Sequence, residues 1–191
     1  MIRRGGGDDS PGTWHATAGA SDADHEDRML SLRTTSQDHH ARLIPHVDRL
    51  LELADMVGHV DCSAIHARFD EEYAFVVGQL LPHMEAIEGT LYDRLESLMG
   101  GRHSMAPMRG EHEAMRQLVA ELGRYRPHAA DCRWSTVEGL ALRRALYRLH
   151  SILKVHLAEE ELYLEVLEQH LTDDEKSALA RGIDHAMQAL L

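Results

Sequence analysis

The chain has 191 residues and a formal net charge of −12, which fits one domain with spare length at an end and disfavours nucleic acid and anionic membrane, since both need a basic surface. No apolar run approaches the roughly 20 residues that span a bilayer, and no apolar segment follows Arg3 and Arg4, so a cytoplasmic protein with Cys62 and Cys132 reduced is expected. With 15 histidines and only 5% aromatic residues, the informative question is which histidines fall on apolar stripes, because the others belong to the surface.

Residues 1–27 are rich in Gly, Ser and Asp without periodicity. They read as a disordered tail, which gives His15 and His25 nothing to hold them as ligands. Residues 28–191 read as a single domain. Its first helix is expected from Met29 to Val57, with His40, Leu43, Ile44, Val47, Leu50, Leu51 and Ala54 as its apolar stripe. His40 opens that stripe. His39 lies about 100° round the helix and groups with Arg42 and His46 on the polar side. Pro45 should kink the helix or loosen one turn.

Gly58 is a helix-ending glycine, and Asp61 or Ser63 can cap the second helix, which runs to about Met99. Its stripe is Phe69, Tyr73, Val76, Leu80, Met84, Ile87, Leu91, Leu95 and Leu98, with Pro82 inside it. His83 and Glu88 fall at opposite edges of that face, while Glu85 points outward. Gly100 and Gly101 end this helix. The third runs from Ser104 to Arg124 on a stripe of Met108, His112, Met115, Val119 and Leu122. A loop with Pro127, Cys132 and Trp134 follows. Ser135 or Thr136 can cap a fourth helix, whose stretch Leu149–Leu171 carries Leu149, Leu153, Leu164, Leu167 and Leu171 at helical spacing. Thr172 and Glu175 form a capping box for a short C-terminal helix to about Leu190. No strand alternation appears. The fold class is therefore all-α: an up-down-up-down four-helix bundle with a disordered N-terminal tail and a short C-terminal helix.

His156 and Glu160 stand one turn apart inside the fourth stripe. A carboxylate on a buried face is costly unless it reaches the rim, pairs with a buried Arg, or binds a metal together with the histidine. Each of the four long helices carries one histidine in or beside its stripe: His40, His83, His112 and His156. Four such coincidences are far less expected by chance than one, and they point to a shared metal centre wherever the four rings meet at a common depth. Imidazole and carboxylate without thiolate suit iron, manganese or zinc. His150, Tyr92, Tyr147 and Tyr163 could stand around it as supporting or gating groups, although simple packing is the commoner role for such residues.

The stretches DHHARLIPHVDRL (38–50), LLPHMEAIEGTLYDRL (80–95), MRGEHEAMRQL (108–118) and LYRLHSILKVHLAEEELY (146–163) come in the order His, H-x-x-x-E, E-H, H-x-x-x-E. In this the chain resembles the hemerythrin-like (HHE cation-binding) family over residues 29–170. The resemblance implies a four-helix bundle with a non-haem diiron centre, iron as cofactor, and His40, His83, His112, His156 and Glu160 as metal ligands. One position departs: Ile87 stands where the family places the carboxylate of the second helix, and the next residue is Glu88. Three outcomes are open. Glu88 swings in as a ligand, at about 140° from His83; the site holds one ion; or metal binding is weak or lost. The function expected is a non-haem iron protein that binds or senses a small oxidant such as O2, NO or peroxide. It is a binding module rather than a dedicated enzyme, with no catalytic residue assigned and with peroxide- or NO-consuming side activity allowed. A degenerate bundle acting as an interaction module, or an iron storage or buffering protein, are the alternatives.

Overall fold

The structure, a computed structural model, describes residues 32–100, 104–130 and 134–189. The expected tail at 1–27, His15, His25 and Cys132 lie outside the described residues. Everything in regular structure among the described residues is helical. Helix α1 spans Leu32–Met56. Then follow α2 (Cys62–Phe75), α3 (Leu81–Ile87) and α4 (Asp93–Leu98), joined by π-helical turns at Val76–Leu80 and Glu88–Tyr92. Beyond them come α5 (Ala106–Ala130), α6 (Thr136–His170) and α7 (Asp173–Ala189).

The junctions of α2, α3 and α4 keep right-handed helical dihedrals, so the three form one rod with two widened turns. The first widening has a cause in the sequence. Pro82 offers no N–H, and its ring would crowd the carbonyl four residues back. Just upstream, the Leu81 N–H bonds to the Val76 carbonyl instead, which opens the turn.

Helix ends follow the expected chemistry. Gly58 (φ 87°) and Gly100 (φ 58°) take up the left-handed backbone that closes the first two rods. Ser135 and Glu138 cap α6 reciprocally, and the Thr172 and Glu175 side chains do the same for α7. One boundary differs: α5 runs on through Pro127 to Ala130 rather than ending at Arg124. Cys62 is disulfide-bonded, which corrects the expectation of reduced thiols. No described helix is long and apolar enough to cross a membrane.

Helix α1 packs along α6 and α2, and α5 packs along α6 and α2; α7 lies against α1, α3 and the Glu88–Tyr92 turn. Gly123 of α5 permits one close approach, since a Cβ there would come within 2.5 Å of the Tyr73 hydroxyl. Ile44 and Leu51 are exposed, contrary to expectation, and Leu53 is buried in their stead. They sit at the wing of the α1 stripe, which the neighbouring rods do not reach.

The apolar core falls into two clusters. One contains Leu43, Leu80, Met84, Met115, Leu153 and Leu157. The other contains Leu32, Ile87, Leu91, Met108 and Leu164. On every rod the inward histidine lies in sequence between members of the two: His40 after Leu32 and before Leu43, His83 before Ile87, His112 between Met108 and Met115, and His156 between Leu153 and Leu164. The polar groups thus form one layer held between two apolar ones.

Candidate metal centre

Six side chains make up that layer: His40, His83, Tyr92, His112, His156 and Glu160, each no more than 2% exposed. Glu160 is central. Its Oε1 lies 3.7 Å from His40 Nε2, while its Oε2 lies 3.8 Å from His83 Nε2 and 3.6 Å from His156 Nε2. These separations are too long for hydrogen bonds. Both carboxylate oxygens and all four ring nitrogens of His40 and His83 lack a hydrogen-bond partner. Leaving one buried polar group unpaired costs about 1–3 kcal/mol, so six such atoms at one point need an explanation.

One ligand atom from each of His40, His83 and Glu160 lies within 4.8 Å of the others, close enough to meet on a single cation. Imidazole nitrogen with carboxylate oxygen is a donor set that iron, manganese or zinc accepts. The residues present therefore fit a metal ion.

His112 and His156 form the second half of the layer, with their Nε2 atoms 2.8 Å apart. Each ring is held from behind by a carboxylate. Glu88 Oε1 accepts from His112 Nδ1 at 2.7 Å, and Glu111 Oε2 accepts from His156 Nδ1 at 2.8 Å. A carboxylate on one ring nitrogen fixes the tautomer and leaves the other nitrogen's lone pair aimed inward.

Glu88, expected as a possible replacement ligand, is therefore placed outside the cluster. Its other partners are Arg116 at 2.6 Å and Arg109 at 3.9 Å. Ile87 is 1% exposed and packs into the second apolar cluster. His39 was expected on the polar side. It stays out of the cluster but is 8% exposed, covered by α7 through a 3.0 Å contact with Asp184.

The electrostatics follow from this packing. Burial opposes ionisation of Glu160, but the surrounding His40 and His83 outweigh it and hold the carboxyl well below its ordinary range. Burial likewise opposes the charged form of His40, and the carboxylates of Glu160 and Glu161 overcome it, so its pKa rises. Burial and the adjacent His156 push His112 down to about 4. Burial, reinforced by the charge of Glu160, pushes the Tyr92 phenol up.

Two members of this arrangement were not expected. Glu111 precedes His112 in the E-H pair, but its role is to hold His156 on another rod, a link that spacing does not reveal. Tyr92 is expected as packing or as a supporting or gating group, not as a member of the layer. On an ideal helix, nine residues from His83 place it about 180° away. The π-helical turn Glu88–Tyr92 brings it back to the inner face. Tyr147 and His150 lie outside the layer; Tyr147 pairs with Asp55 and Arg143.

A cavity of about 160 Å³ opens beside His83, with His39, Arg42, Phe75, Gln79 and Asp184 on its wall. A larger surface hollow of about 520 Å³ lies along α6 between Leu140 and Ile152 and touches no residue of the layer.

Fold and site together define an all-helical protein with a buried imidazole–carboxylate cluster in its core, a donor set that fits a cation. The sequence pattern of the hemerythrin HHE cation binding domain matches residues 34–181, which is most of the chain. The chain belongs to that family. No curated protein and no solved structure matches it.

Proposed function

We propose that this is a non-haem iron protein whose centre holds two ions and which binds or senses a small oxidant such as O2, NO or peroxide. The observation that carries the proposal is the set of unpartnered, buried nitrogen and oxygen atoms on His40, His83 and Glu160. A metal-free core would gain by losing them. His40, His83 and Glu160 would hold one ion. His112 and His156 would hold the other, with Glu160 lying between the two sets. Glu88 and Glu111 act from behind the rings, fixing their tautomers and raising their basicity. Iron bound there supplies a redox-active centre with coordination positions left for a small ligand. The cavity beside His83 supports access for such a ligand from the side of His39 and Asp184. The Leu and Met residues on either side of the layer restrict water.

An up-down-up-down order of the four rods belongs to the same proposal. The neighbour relations of α1, α2, α5 and α6 support it.

One observation favours a second reading. The 2.8 Å approach of the His112 and His156 Nε2 atoms is also the distance of a hydrogen bond within a protonated imidazole pair. On that reading one ion sits with His40, His83 and Glu160.

Iron uptake separates the two. The metal-free chain is titrated with ferrous iron without oxygen, and bound iron is counted per chain. Two irons are expected, and one iron selects the second reading. His156→Ala should lower the iron content, while His39→Ala should leave it unchanged. Equal losses from both substitutions would count against the inward assignment, and no uptake by the parent chain would refute iron binding altogether.

A further inference from the structure

The centre as assigned above is short of anionic donors, because Ile87 contributes none and Glu88 faces away. A further oxygen is already in the layer. Tyr92, at the end of the second π-helical turn, is 0% exposed. Its hydroxyl lies 3.2 Å from His112 Nε2 and 3.5 Å from His156 Nε2. Its ring lies against His112, with centroids 5.4 Å apart and planes at 28°.

Three polar atoms converge at this point. Glu88 and Glu111 accept from the two Nδ1 atoms, so both Nε2 atoms face inward as acceptors. They are 2.8 Å apart, and the Tyr92 hydroxyl brings one proton to share between them. A cation at their common focus satisfies all three atoms at once.

The geometry also fits a single ion. Bonds of about 2.0–2.1 Å at tetrahedral or octahedral angles put neighbouring ligand atoms about 2.9–3.4 Å apart. The three edges here are 2.8, 3.2 and 3.5 Å.

We propose that the Tyr92 oxygen is a direct ligand to the ion held by His112 and His156, supplying as a phenolate the anionic donor that Ile87 does not. This rests on the two-ion reading above. The O–H bond of Tyr92 is exchanged for an oxygen–metal bond, and the proton leaves to solvent, with no change of oxidation state. The π-helical turn is the device that makes this possible, since without it Tyr92 would face away from both histidines.

The test uses the full chain loaded with ferrous iron and then oxidised in air. Iron per chain, visible absorption and resonance Raman spectra are recorded on the same sample. The expected result is a phenolate-to-ferric charge-transfer band whose excitation enhances tyrosine ring vibrations. Tyr92→Phe, which keeps the ring against His112, loses that band, whereas Tyr163→Phe retains it. Should Tyr92→Phe fail to fold, parent chain grown with ring-deuterated tyrosine replaces it: the enhanced vibrations shift if a tyrosine is bound. Iron-loaded protein with no such band, or a band that survives Tyr92→Phe, overturns the Tyr92 assignment and leaves the two-ion reading standing. A chain that takes up one iron or none overturns both.

Discussion

Glu160→Leu separates stability from metal binding by moving them in opposite directions. In the metal-free chain the Glu160 carboxylate is fully buried. Three imidazole nitrogens lie 3.6–3.8 Å from it, and neither oxygen makes a hydrogen bond. Replacing a buried ionic cluster by apolar side chains of similar volume is often neutral or stabilising by about 1–4 kcal/mol, whereas removing one partner is costly when the other stays charged. The histidines left behind can shed their protons and do not become stranded charges. A gain of about 2 kcal/mol is therefore expected in the presence of a chelator. For a chain of 191 residues this raises Tm by roughly 5 °C. With ferrous iron at a hundredfold excess over its Kd, the parent chain should gain about 2.7 kcal/mol, and Glu160→Leu should gain nothing. Urea unfolding in chelator and in iron, under exclusion of oxygen, measures both changes. If Glu160→Leu destabilises the chelated chain, Glu160 is a structural partner of the histidines, and the reasoning from unpartnered atoms fails.

Two further expectations concern groups that the same measurements reach. In metal-free protein, His112 has a folded pKa of about 4 against an ordinary 6.5, so the unfolded chain takes up its proton first. Stability from this group is complete above about pH 6.5 and falls by about 3 kcal/mol as the pH drops through 6.5 to 4, whereas His112→Gln should flatten that window in urea titrations. His40, whose pKa is raised, acts on the other flank: its contribution is full below pH 6.5 and is lost as the pH rises through its folded value. Away from the centre, Glu72 is 1% exposed and is held by Arg49 Nε at 2.7 Å and His46 Nδ1 at 2.8 Å. Arg49→Met leaves that carboxylate with His46 alone and should cost about 3 kcal/mol with or without iron; a cost that disappears on iron loading would tie Glu72 to the centre instead.

What the sequence discloses about this fold is the part governed by period and by caps. The α5 stripe of Met108, His112, Met115, Val119 and Leu122 is buried as its spacing requires. Gly58, Gly100, Ser135 and Thr172 mark helix ends because their local chemistry is sufficient to do so. The inward histidines were legible for the same reason, as each interrupts an apolar stripe.

What remained hidden depends on contacts between rods or on a departure from the 3.6-residue turn. Glu72 was invisible because its partners lie on α1. Glu111 points to a ring on α6. The π-helical turn at Glu88–Tyr92 brings Tyr92 to the centre, and nothing in a constant 100° rotation signals it. The wing positions Ile44 and Leu51 show the complementary error, a stripe drawn wider than the groove available to receive it.

The two carboxylates behind the rings are not equivalent, and the difference bears on how the missing acid at position 87 is tolerated. Glu88 shares Oε1 between His112 and Arg116, at 2.7 and 2.6 Å. A guanidinium on the same oxygen withdraws the charge that would otherwise make His112 a better donor. Glu111 meets His156 at 2.8 Å and pairs with no Arg among the described residues. Of the two rings in this half of the centre, His112 is therefore the weaker donor, and Ile87 adds no carboxylate. Two cations close together repel, and each anionic donor offsets part of that repulsion. On the two-ion reading, an ion beside His112 and His156 would share its one inner carboxylate, Glu160, with its neighbour. An oxygen from Tyr92 is the compensation that the core already contains.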